Sequence, residues 1–161
     1  MKFRFSILLS LSLFWSCSSN ESTSGSHQTE NVIAEIQKKD GDSVLQFSAR
    51  VLHGKVSPFD TNSYTRADVK IEGSLIFFEK PLQNYWIEVI HDAEPKQIYW
   101  ASINVDENLP DIIQLEDVAH VTAYYPSSEL DIIAIGIGGT DLVAEKDEFG
   151  NFRLENLPPG I

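Results

Sequence analysis

A chain of 161 residues has room for one domain or two small ones, and 42% hydrophobic with 22% charged residues is an ordinary globular composition. The formal net charge of −12 argues against binding to nucleic acid and against an electrostatic hold on anionic lipid, since both need clustered Lys and Arg. A domain of roughly 130 residues buries about two-thirds of its unfolded surface, so a core needs no disulfide.

The chain opens with Lys2 and Arg4, followed by an apolar run over residues 5–15. That run is too short to span a bilayer as a helix and has the length of a secretory signal's hydrophobic region. It ends at Ser16-Cys17, where a small residue precedes the single cysteine. Residues 18–30, SSNESTSGSHQTE, hold no aliphatic or aromatic side chain, so nothing there offsets the entropy of ordering and a flexible tether is expected. A signal ending at a cysteine and followed by a polar tether resembles a bacterial lipoprotein signal. The resemblance implies cleavage after Ser16, acylation of Cys17 and a membrane partner held through that lipid anchor. The other reading is an ordinary signal peptide cleaved nearby, leaving one unpaired thiol. Loss of Lys2 and Arg4 would take the formal charge from −12 to −14. Ser18 after the cysteine favours the outer membrane or cell surface as the location in the cell envelope.

From Asn31 onward the pattern is β. Val32, Ala34 and Ile36 alternate, Asp40-Gly41 supplies a hairpin turn, and Leu45, Phe47, Ala49 and Val51 alternate on the return. A loop rich in Ser, Asn, Asp and Gly covers residues 53–66. Strands are then expected over 67–71, 75–78, 85–90 and 98–105, separated by turns at 80–84 and 92–96. DENLPD, residues 106–111, reads as a module boundary. Residues 112–115, 118–124, 132–137 and 142–144 continue the strand pattern. No long window carries a 3.6-residue period, and short strands with Gly, Pro, Asn and Asp between them describe antiparallel β-sandwich modules.

The last stretch, KDEFGNFRLENLPPG over residues 146–160, sets a polar turn before an alternating segment. Phe152 and Leu154 point one way there, Arg153 and Glu155 the other. It resembles the closing motif of carboxypeptidase regulatory-like domains, T-D-x-x-G-x-F-x-L-x-x-L-P-x-G followed by Tyr. Val121-Thr122-Ala123 and Gly139-Thr140-Asp141 stand where that family has an early strand and the lead into the turn. The resemblance implies a transthyretin-like β-sandwich over residues 110–161, with one more strand after Gly160 than the sequence carries. The expected organisation is therefore a signal over 1–16, a lipidated Cys17 and tether over 17–30, a divergent β-sandwich module over 31–109, and the regulatory-like module over 110–161.

Side chains that could carry chemistry are sparse. His27, His53, His91 and His120 lack partners at metal-ligand spacing, so no metal and no cofactor is expected. Gly136-Ile137-Gly138-Gly139 fails the G-x-G-x-x-G spacing, because Asp141 stands third, and is read as a place where a strand bends or meets its neighbour closely. Adjacent aromatic pairs are the least ordinary feature: Tyr85-Trp86, Tyr99-Trp100, Tyr124-Tyr125 and Phe77-Phe78 sit on expected strands. One member of each pair should face outward, where it would serve a polysaccharide or another surface protein; the alternative is that these rings fill the core and cover a second sheet. Two functions remain open, both non-enzymatic: a membrane-anchored surface lipoprotein acting as spacer or binding platform, and an accessory carbohydrate-binding protein. An enzyme is the weakest reading, since no nucleophile or acid–base set is visible.

Overall fold

The computed structural model describes residues 31–125 and 132–159; the expected signal, Cys17 and the tether lie outside them. Within the described residues the chain is all-β, with no helix and thirteen short strands. The first nine are β1 (Asn31–Gln37), β2 (Ser48–Gly54), β3 (Tyr64–Ala67), β4 (Val69–Glu72), β5 (Leu75–Glu79), β6 (Tyr85–His91), β7 (Gln97–Ile103), β8 (Ile112–Gln114) and β9 (Glu116–Asp117). They form a four-stranded sheet in the order β4-β5-β1-β8 and a five-stranded sheet in the order β3-β2-β6-β7-β9.

The alternation read from the sequence decides what lies between these sheets. Ala34, Ile36, Ile76, Phe78 and Ile113 come from the first sheet, and Val51, Tyr85, Ile87, Val89 and Ile103 from the second, into one buried cluster. Two sheets sharing one core in this way make a β-sandwich.

The turn at Asp40-Gly41 forms, but the hairpin expected around it does not continue. Gly41 has φ +94°, the left-handed conformation that glycine adopts most freely, and the Val44 N–H reaches the Ile36 carbonyl at 2.9 Å. Beyond that rung the two arms part, β1 into one sheet and β2 into the other. Both arms carry alternating apolar side chains, and placing them in opposite sheets lets both rows face the same core.

The expected module boundary at residues 106–111 also moves, to a point after Asp117. β8 pairs parallel to β1, β9 pairs with β7, and Ile113 and Leu115 are fully buried in the first core. These residues fill the first sandwich, so the chain does not leave it at DENLPD.

The remaining strands are β10 (Ala119–Tyr124), β11 (Ala134–Gly136), β12 (Val143–Glu145) and β13 (Asn151–Leu157). β10 pairs with β13 and β11 with β12, and an isolated bridge between Lys146 and Phe152 links the two pairs. In β13 Phe152 and Leu154 are buried while Arg153 and Glu155 are exposed, as the alternation requires. Leu157 is buried too, three residues after Leu154. An extra residue makes this possible: Ala119 opposes Leu157 and Val121 opposes Leu154, a β-bulge with Asn156 at φ 56°. The turn before β13 is closed by Asp147, whose carboxylate accepts the N–H groups of Phe149 at 2.9 Å and Asn151 at 2.8 Å.

Candidate functional site

The central strands β2, β6 and β7 of the five-stranded sheet bury residues on both faces, and the second face carries the most unusual chemistry of the chain. Strand β6, YWIEVIH, turns Tyr85, Ile87 and Val89 to the first core, so Trp86 and Glu88 must point the other way. β2 does the same, with Ala49 and Val51 inward and Arg50 and Leu52 outward. Register then sets Arg50 opposite Glu88, Leu52 opposite Trp86, and Glu88 opposite Trp100 of β7. Leu52, Trp86, Glu88 and Ile98 are all buried on this outer face. The second unit packs against it: Trp100 lies with Phe152, Leu154, Leu157 and Ala144 in a separate cluster.

An ion triad crosses between the two units. The Arg50 Nε and Nη2 groups donate to the two Glu88 oxygens at 2.6 and 3.2 Å, and Nη1 donates to Asp141 Oδ2 at 2.7 Å. Tyr64 Oη reaches the same Asp141 oxygen at a long 3.4 Å. The Arg50 guanidinium stands 5.0 Å from the Trp86 ring centre, and Trp86 meets Trp100 edge-on at 5.7 Å. Only 6% of the Glu88 side chain and 10% of Asp141 remain exposed, so both carboxylates depend on Arg50 for compensation. Burial pulls the Arg50 pKa down, but its hydrogen bonds to Glu88 and Asp141 and the charges of both carboxylates outweigh it and hold it above its ordinary value.

Local structure delivers Asp141 to this point. The β11–β12 connection closes with Thr140 N–H and Thr140 Oγ1 both donating to the Ile137 carbonyl, at 3.2 and 2.8 Å, while Thr140 Oγ1 accepts the Leu142 N–H at 3.1 Å. Gly139 turns the chain there with φ +81°. Gly136 makes a close approach to the loop between β2 and β3, since a β-carbon there would stand 2.5 Å from Pro58. The triad offers a rigid polar joint between two β units. Its three donor nitrogens are engaged by carboxylates, a geometry that fixes orientation.

The six Tyr and Trp residues of the adjacent aromatic pairs do not form one platform. Tyr85 sits in the first core beside Phe78, and Trp86 is buried beneath the second unit. Tyr99, Trp100 and Tyr125 are half-buried, and Tyr124 alone is exposed, at 64%. Trp86 and Trp100 do leave the first core, but the second unit covers the face they reach, and Tyr124 of the second unit is the ring that faces solvent. The cavity beside Trp86, lined also by Asn84, Ser102 and Gly139, holds about 110 Å³, below the roughly 300 Å³ at which small-molecule pockets begin. A larger cleft of about 310 Å³ opens beside Asn31, Ile33, Lys80, Asn108 and Asp111, away from all six. Among the described residues no group of three His, Cys, Asp or Glu side chains is placed to hold a metal ion. Cys17 lies outside the described residues.

Sequence reasoning passed over Arg50 and Glu88. The available signal was phase: each is a charge set among apolar residues in its strand, YWIEVI and SARVL. Comparisons with protein-family models, with curated proteins and with solved structures each return no match.

Proposed function

We propose that this chain is a non-enzymatic, lipid-anchored protein of the cell envelope, held at the outer membrane or cell surface through Cys17, whose β units act as a spacer or binding platform. The observation that carries this reading is the order of the N-terminal residues: a basic start, an apolar run over 5–15, Ser16-Cys17, then thirteen residues without an apolar side chain of size. Each buried acyl methylene contributes about 0.8 kcal/mol, so two or more chains on Cys17 hold the protein durably despite its negative charge. The Arg50 joint is consistent with a spacer, because it fixes one unit against the other. The turn at Asp147 and the strand with Phe152 and Leu154 buried suit a carboxypeptidase regulatory-like second unit, which is part of the same proposal. Carbohydrate binding draws less support, since five of the six Tyr and Trp residues of the aromatic pairs are wholly or partly covered.

The test is replacement of Cys17 by Ser with membrane fractionation and fatty-acid labelling. The wild-type chain should take up label and sediment with membranes, and Cys17→Ser should do neither. Equal membrane association of the two forms, without label in the wild type, would overturn the reading.

A further inference from the structure

We infer that the edge of β10 opposite β13, unpaired among the described residues, is a self-pairing surface, through which a second copy of this chain joins strand to strand about a two-fold axis at Thr122. Sheet edges present unpaired N–H and C=O groups, and proteins usually blunt them with charge, proline or brevity. The other edges here are blunted. β4 carries Lys70 and Glu72, β3 carries Arg66, β9 is the dipeptide Glu116-Asp117, β8, β11 and β12 span three residues each, and β13 carries Arg153 and Glu155 and is bridged by Lys146 on its other side. β10, AHVTAY, has six residues with no Pro, Lys, Arg, Asp or Glu, and among the described residues only β13 pairs with it.

The direction of its backbone groups follows from the ladder. Tyr125 N–H donates to the Gly150 carbonyl at 3.3 Å. In an antiparallel pair the bonded positions alternate, so Ala123 and Val121 also bond to β13. The N–H and C=O groups of His120, Thr122 and Tyr124 therefore point to the open edge. These three residues are exposed, and their side chains share the face turned away from the Phe152 cluster.

That parity admits a self-complementary register. With Thr122 facing Thr122 of the second copy, His120 faces Tyr124 on both sides of the axis, and each facing pair exchanges two N–H···O bonds. Thr–Thr and aromatic pairs directly opposite one another are favourable cross-strand contacts. No charged residue of one β10 meets a charge of the other, which matters for two chains each carrying −12. The second copy is therefore the occupant the edge suits. Dimerisation should strengthen as salt screens the general repulsion.

The experiment uses the full chain carrying Cys17→Ser, so that it is independent of lipid anchoring and free of the native thiol. Sedimentation velocity should show a concentration-dependent monomer–dimer equilibrium. Thr122→Pro deletes the N–H aimed at the edge and leaves the bonds to β13 intact; Thr122→Lys places two cations on the axis without touching the backbone. Both should weaken dimerisation by about tenfold or more, the loss of two inter-strand bonds in the first case. In the same background Thr122→Cys should give a disulfide-linked dimer on mild oxidation, because facing Cα atoms lie within disulfide reach, whereas Tyr124→Cys should not. A monomer at every concentration overturns the inference. So does a dimer unchanged by Thr122→Lys while circular dichroism shows the fold retained, or cross-linking by the Tyr124→Cys variant in place of Thr122→Cys.

Discussion

Removing Arg50 should be the most damaging single change on the outer face of the five-stranded sheet. Arg50→Met keeps most of the side-chain volume and deletes the charge. Glu88 and Asp141 would then be left in a buried joint, 6% and 10% exposed, without the cation that binds them both. Breaking a buried pair in this way costs about 3–5 kcal/mol, and the lost contact with the Trp86 ring adds roughly 0.5–2 kcal/mol at most. Asp141→Asn is the informative contrast. It leaves the two-point Arg50–Glu88 pair intact, keeps an oxygen for Nη1 and removes the surplus negative charge, so its cost should stay under about 1.5 kcal/mol. Adding Glu88→Gln and Asp141→Asn to Arg50→Met should recover most of the loss, because no uncompensated charge then remains. Urea titration at neutral pH, followed by tryptophan fluorescence, reads the effect directly, since Trp86 and Trp100 border the triad. The reasoning is refuted if Arg50→Met costs under about 1 kcal/mol, or if Asp141→Asn costs as much as Arg50→Met.

Phe152→Ala should destabilise the second unit by about 3–5 kcal/mol, since the ring is 1% exposed in its cluster, while Arg153→Ala on the opposite face should cost roughly 0.5 kcal/mol or less; equal melting shifts would contradict the register. Acid should loosen the turn before β13. Hydrogen bonds from Asn151 chiefly, and from Phe149 and Gly150, hold the Asp147 pKa below its ordinary value. A depressed carboxylate contributes stability above its unfolded pKa and loses it as pH falls through the folded value. Melting temperature should therefore fall below about pH 4, and Asp147→Ala should flatten that dependence; an unchanged acid profile in the variant would count against the assignment.

Period-two alternation and turn residues were enough, by themselves, to define an all-β chain without helix among the described residues, the strand that buries Phe152 and Leu154, and the turn at Asp40-Gly41. These are local properties: a strand's two faces and a glycine's φ depend on residues within a few positions. Pairing partners were not local. The two arms around Gly41 look like a hairpin in sequence, yet they part into different sheets because both apolar rows must reach one core. Ile113 and Leu115 joined the first sandwich across more than seventy residues, by parallel pairing that no short pattern announces. The candidate site was the least legible part. Alternation shows that Trp86, Glu88 and Arg50 leave the first core, but it does not say whether water or protein waits on the other side. Only the packing of the second unit decided that, bringing Asp141 ninety-one positions along the chain to Arg50 and turning an expected aromatic surface into a buried, charge-paired joint.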